Sequence, residues 1–414
     1  MSLPDKAISR RIIETVGGSG IPPTIGIEYF TVGFDEYFDI IENDYLKTYI
    51  REGGSAFKAV IAGYGQGKTH FLFCIGNLAR KHNYVTSYVM LKPDQTPFYN
   101  LELVYKAIIK NLKYPQKSPL DMPEEGIENF IKNWFSSKKA EFAEKDLDGY
   151  ELNEALNQYV EGMPDLDSTS FKCAIQSAFK ALLKENASEF TNIMQWLKGE
   201  GYDRRTHSPL GIRQKIDKTS AFSMIRCISQ LVRWIGYSGL VILFDETERN
   251  PSFNTKQKDL ILNNLRQLID ETAQAFQSTF IFYSLPDESF LNTKGSIYEA
   301  LRERLETISD PLNPTGVKIY LEKLRMNPVD MLYEIGMKLS KIYEVAYDFK
   351  FNESILNRAV KEIAKACYDE RYTGAYRRLF MQKLITAFHM IRKNTEIIID
   401  SNKAIEIVRG GPPA

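Results

Sequence analysis

Residues 62–69 read Ala-Gly-Tyr-Gly-Gln-Gly-Lys-Thr, and the chemistry open to that pattern is the binding of a polyphosphate. Such a group needs a ring of backbone N–H donors, best supplied by a loop entering a helix N-terminus. Gly63, Gly65 and Gly67 permit backbone angles closed to other residues and keep side chains off the phosphates. Lys68 would reach the β- and γ-phosphates and the Thr69 hydroxyl would ligate magnesium, with Tyr64, Gln66 and His70 completing the loop and the first helical turn. Ala62 stands where many such loops have glycine. A chance match of this form is roughly a 3% event in a chain of ordinary composition, so the pattern is read as a phosphate loop.

The second constellation is Leu240-Val241-Ile242-Leu243-Phe244-Asp245-Glu246, five apolar residues followed by two acids. A buried strand would deliver Asp245 to the C-terminal edge of a sheet, where ligands of open α/β sheets bind. There Asp245 would hold magnesium. Glu246 would orient and deprotonate a water attacking the γ-phosphate, with Glu248 as the neighbouring competitor.

Both motifs need a sheet to position them, and the pattern supplies one. Ala56–Ile61 reads as a buried strand running into the loop, and Phe71, Ile75, Leu78 and Ala79 follow at helical spacing. A strand at 85–91 completes a parallel crossover unit. Helix, strand, helix, strand then recur over about 219–235, 240–244, 256–276 and 279–283, with a last strand near 317–321. Residues 1–50 form an N-terminal segment, with a short helix over 8–16 and helical spacing over 34–51. The ATPase core is expected over 51–115 and 205–325, interrupted by a polar, helical insertion over 116–204. A helical lid over 326–400 and a tail over 401–414 complete the division. The fold class is α/β, a P-loop parallel sheet with helices on both faces.

Composition narrows the partners. The 53 Lys plus Arg balance 53 Asp plus Glu, so no global field draws the chain to DNA or an anionic membrane, and any such contact needs a local patch. Arg204-Arg205, Lys138-Lys139 and Arg377-Arg378 are the local basic groups. The four cysteines and four histidines are scattered, which speaks against a zinc or redox site. No run of about 18 apolar residues occurs, and a cytoplasmic location is expected.

The strand order and the Asp-Glu pair resemble the AAA+ class of ATPases, especially its origin-recognition-like branch. That resemblance implies ATP rather than GTP, and it implies roles for further residues. Ser284, in Tyr283-Ser284-Leu285-Pro286, would sense the γ-phosphate. Arg304, preferred over Arg302 in Ala300-Leu301-Arg302-Glu303-Arg304, would serve as an arginine finger. Arg377, in Gly374-Ala375-Tyr376-Arg377-Arg378, would act from the lid, and Gly20-Ile21-Pro22-Pro23 would border the adenine. More narrowly, Arg10–Glu14 with Gly20–Pro23, Tyr29–Gly33, Phe57–Leu72 and Phe244–Glu248 resemble the BrxC/BrxD ATP-binding proteins of bacterial BREX phage-exclusion systems, and the length resembles the shorter BrxD type. The resemblance implies ATP use with magnesium in defence against phage. DNA, other phage-defence proteins and a second copy of the chain stand as candidate partners. Two functional readings follow: an ATPase acting on DNA or a DNA-bound partner, and a nucleotide-dependent switch or scaffold with little turnover.

Overall fold

Strands with an unbroken apolar run leave no face for water and must be covered on both sides. The computed structural model, which describes residues 3–63, 65–116, 124–145, 149–246, 253–285, 296–322, 326–371 and 375–410, shows how. Its strands are β1 (Ser55–Ile61), β2 (Tyr84–Leu91), β3 (Leu112–Lys113), β4 (Gly239–Glu246), β5 (Thr279–Leu285) and β6 (Lys318–Tyr320), in spatial order β3-β2-β4-β5-β1-β6. Every pairing is parallel except that of β3, which closes the β2 edge antiparallel. β5 lies between β1 and β4, so the loop after β1 and the acids ending β4 stand one strand apart.

Sixteen helices are described, α1 (Lys6–Ser19), α2 (Asp35–Ile40), α3 (Lys68–Lys81), α4 (Leu101–Lys110), α5 (Ile127–Ala143), α6 (Gly149–Glu161), α7 (Thr169–Leu183), α8 (Ala187–Leu197), α9 (Arg204–His207), α10 (Ala221–Ile235), α11 (Thr255–Gln274), α12 (Ser296–Arg304), α13 (Pro328–Tyr347), α14 (Glu353–Asp369), α15 (Tyr376–Lys393) and α16 (Ser401–Arg409). α2 continues into a wider π-helical segment, Ile41–Tyr49.

The alternation of side chains along each strand sorts the core into two faces. Val60, Val241, Leu243, Phe280 and Phe282 point to the face covered by α3 and by Ile41, Tyr45 and Leu46 of the π-helical segment. Phe57, Ala59, Ile242, Phe244, Ile281 and Tyr283 point to the other, covered by α4, α10 and α11. Trp134, Phe179 and Trp196 of α5, α7 and α8 belong to that same continuous core, so the helical insertion extends one face of the sheet.

A third cluster gathers α13 to α16 with α1, through Ile8, Ile12, Ile13 and Val16. The N-terminal segment therefore divides: its first helix packs with the lid and its later residues with the sheet. The expected tail is corrected. Residues 401–409 form α16, capped by Asp400, whose carboxylate accepts from the Lys403 N–H, and its Ala404, Ile407 and Val408 are buried in the lid. Three apolar positions at helical spacing fix that face. Residues 411–414 lie outside the described residues. α4 and β3 were not foreseen, β3 because two residues carry no period.

Candidate functional site

The loop from β1 to α3 has the backbone its glycines permit. Gly65 and Gly67 sit at φ +73° and +97°, the left-handed region that side chains resist. A Cβ at Gly65 would also meet the Ala375 backbone at 2.8 Å. Lys68 opens α3 and is 8% exposed. Its ammonium donates to the carbonyls of Ala62 and Gly63, at 2.7 and 3.2 Å. Tyr64 lies outside the described residues, as do Thr247, Glu248 and Gly374.

Asp245 and Glu246 end β4 at 1% and 7% exposure. A buried carboxylate needs hydrogen-bond donors, and Asp245 has three hydroxyls. Thr69 Oγ1 and Tyr88 Oη each donate to Oδ2 at 2.6 Å, and Ser284 Oγ donates to Oδ1 at 2.8 Å. Ser284 Oγ also accepts from the Glu246 backbone N–H, at 2.9 Å. Ser284, on the strand between the loop and the acids, thus fixes both acids at once. The neighbouring carboxylate and burial push the Tyr88 phenol well above its usual range, burial being the larger cause.

His70 is half-buried beside Phe30 and Phe34 and borders the cavity between loop and lid, with Nε2 2.7 Å from Thr31 Oγ1. Burial first and the nearby Arg377 second push its pKa down to about 3, so the ring is neutral. Arg377, in the first turn of α15, reaches across from the lid and donates to the Gln66 carbonyl at 2.5 Å. Arg304 is elsewhere. Its guanidinium forms a fork on Asp270, Nε to Oδ1 at 2.5 Å and Nη2 to Oδ2 at 3.1 Å, tying α12 to α11. Arg302 beside it is exposed.

Between loop, acids and lid lies a cavity of about 210 Å³. Part of its lining is polar, with Gly65, Gly67, Lys68, Thr69, Asp245, Glu246 and Arg377. Part is apolar, with Pro22, Val32, Met331, Leu332, Ile335 and Met381. A ligand that joins a polyanion to a flat heterocycle matches this mixed lining, the make-up of a nucleotide. Thr69 Oγ1 and Asp245 Oδ2 are hard oxygen donors brought together from two segments, the donor set magnesium takes. The residues fit both groups.

Sequence reasoning missed Tyr88, Glu322 and the apolar lid side chains. Glu322 accepts from the Gly63 N–H at 2.7 Å, bracing the start of the loop. Tyr88 and Glu322 carry no motif, and the apolar lid residues differ from any other amphipathic helix face only by their place in the fold.

A parallel sheet with a glycine-rich loop entering a helix, and an acid pair across one strand, defines a P-loop nucleotide-binding protein. The chain belongs to the BREX system ATP-binding protein BrxC/D family, whose sequence profile matches residues 5–406. No curated protein matches it. Among solved structures, domain III of the Thermotoga maritima replication initiation protein DnaA aligns over 94% of this chain and 97% of that one, with 11% identity and a TM-score of 0.37. Among the described residues no helix is long and apolar enough to cross a membrane.

Proposed function

We propose that the chain binds ATP with magnesium between Lys68 and Asp245 and hydrolyses it, acting on DNA or a DNA-bound partner in defence against phage. The observation that carries this reading is the 2.6 Å contact of Thr69 with Asp245 in the cavity that Lys68 and Glu246 also line. Lys68 would exchange its two carbonyl partners for phosphate oxygens. Thr69 and Asp245 would hold magnesium, which supplies charge neutralisation at the β- and γ-phosphates when bound. Glu246 would orient and deprotonate the attacking water. Ser284 would hold the acid pair in register, and Arg377 would exchange the Gln66 carbonyl for the γ-phosphate. An arginine finger given in trans falls to Arg302 or Arg304, and Arg302 is the more accessible.

One observation favours the second reading, a nucleotide switch with little turnover: Arg304 is already held by Asp270 in its own chain. The two readings separate in an assay of ATP hydrolysis by the wild type and Glu246→Gln, over a range of protein concentration, with and without duplex DNA. Hydrolysis that depends on Glu246, with a loss of about 10²-fold or more in the variant, supports the ATPase. Tight ATP binding with no turnover above Glu246→Gln in any condition sinks it in favour of the switch.

A further inference from the structure

We propose that the connector from α8 to α10, residues 204–218, is the surface on which the chain holds the phosphate backbone of duplex DNA. This deepens the reading that the protein acts on DNA and does not depend on ATP turnover. The connector carries Arg204, Arg205, Arg213, Lys215 and Lys218, all exposed. Two acids stand among or beside them, and local turns use both. Asp203 accepts from the Thr206 N–H and hydroxyl at 2.8 and 2.7 Å, and Asp217 accepts from those of Thr219 at 2.9 and 2.6 Å. Lys215 is 3.5 Å from Asp217; Arg204, Arg205, Arg213 and Lys218 make no ion pair with a described residue. The contrast is with the adjoining helices, where Lys132, Lys138, Lys172, Lys180 and Lys198 each lie within 2.8 Å of a carboxylate. Lys139 of α5 apart, positive charge is compensated on α5–α8 and left open on the connector.

The cations stand on a pinned backbone. Ile212 and Ile216 are buried beneath it. Trp196 Nε1 donates to the Gln214 carbonyl at 2.8 Å, the Arg213 N–H donates to Ser170 Oγ at 3.0 Å, and Gln214 Nε2 donates to Ser168 Oγ at 2.9 Å. Little backbone entropy then remains to be lost on binding. The apolar residues turn inward, so the connector lacks the apolar centre of a protein interface. Its aromatic neighbour Tyr202 is stacked on His207, with ring centroids 5.6 Å apart, and offers no platform for unpaired bases. A rigid, cationic, non-stacking surface suits the regular phosphates of a duplex.

Its position connects it to the nucleotide site. α10 returns antiparallel to β4, which places Lys218 at the sheet edge where Asp245 and Glu246 lie. Lys218 and Tyr99 line one cavity of about 360 Å³. The Tyr99 ring is 6.0 Å from that of Phe253, and Phe253 borders the next cavity with Glu246.

The test is fluorescence anisotropy of a 30-base-pair labelled duplex of random sequence with the full chain, at about 50 to 200 mM salt. Its arms are the wild type, the Arg204→Ala/Arg205→Ala/Arg213→Ala/Lys218→Ala variant, and a Lys139→Ala/Lys184→Ala control from elsewhere on the insertion. Four phosphate contacts predict a log–log salt slope near −3.6 for the wild type. The quadruple variant is expected to lose that slope and at least tenfold in affinity, while the control keeps both. Binding of a fluorescent ATP analogue should be equal in all three. If the variant also loses the nucleotide, the charge-preserving Arg204→Lys/Arg205→Lys/Arg213→Lys chain decides: retained DNA binding supports the surface, and loss overturns it. A quadruple variant that binds duplex like the wild type overturns the surface and leaves the DNA reading standing. A wild type that binds no duplex overturns both. Connector-dependent binding of a polyglutamate peptide or of single-stranded DNA in preference to duplex also overturns the assignment.

Discussion

At the scale of single residues, the site is organised around one carboxylate. Asp245 accepts from Thr69, Tyr88 and Ser284, three hydroxyls from a helix and two different strands. Groups behind a metal ligand typically govern affinity by about 10–100-fold. Tyr88→Phe and Ser284→Ala are therefore expected to raise the magnesium concentration that half-saturates ATP binding by that order. A titration of magnesium against a fluorescent ATP analogue reads it. The phosphate-loop residues were legible because their spacing is local. Tyr88 was not, since its meeting with Asp245 spans 157 positions and depends on the β2–β4 register. A second residue-scale consequence concerns Lys58, 2% exposed on β1. Its ammonium donates to Tyr45 Oη and to the carbonyls of Pro314 and Gly316. Burial lowers its pKa from 10.5 to about 8. The folded state then binds fewer protons at this group than the unfolded chain between those values, so the contribution of Lys58 to stability rises with pH across that window, by ~3 kcal/mol. Denaturant unfolding of both chains at pH 8 and 10.5 should show the wild type gaining about that much relative to Lys58→Met, the difference removing the opposite pull of the Cys74, Cys227 and Cys367 thiols, which burial pushes up to about 12.

At the scale of elements, runs such as Leu240–Phe244 announced their strands, and periodic apolar positions announced α3, α10 and α11. What the pattern left out was how elements share a core. α16 was read as a tail, yet Ile407 and Val408 are 8% and 6% exposed. Burying two aliphatic side chains is worth about 3–6 kcal/mol. A chain ending at Asp400 should lose stability of that order, measured as a lower denaturation midpoint, while the sheet keeps its secondary structure. If the midpoint is unchanged, α16 contributes no such packing. Gly65 ties loop to lid by the same kind of argument. Gly65→Ala places a methyl against Ala375 on a backbone that resists it, and should weaken ATP binding at least tenfold.

At the scale of the whole molecule, the cavity is roofed by the lid, and α1 packs into the lid's core. The sequence separates α1 from α13 by some three hundred residues, so their shared core could not be read from spacing. Arg377 is the link that was legible, and it rests on the phosphate loop at Gln66. Arg377→Ala is predicted to reduce turnover more than ATP affinity, because its partner changes on closure. Parallel measurements of kcat and of the ATP dissociation constant distinguish that from a loss of both.

The central claim is that loop and strand end form one magnesium–nucleotide site. Calorimetric titration of ATP into the wild type and Asp245→Asn, each with magnesium and with chelator, tests it most directly. The account predicts that magnesium tightens ATP binding to the wild type at least tenfold and has no such effect on Asp245→Asn, while Lys68→Ala binds poorly in both conditions. Equal magnesium dependence in the wild type and Asp245→Asn would contradict it.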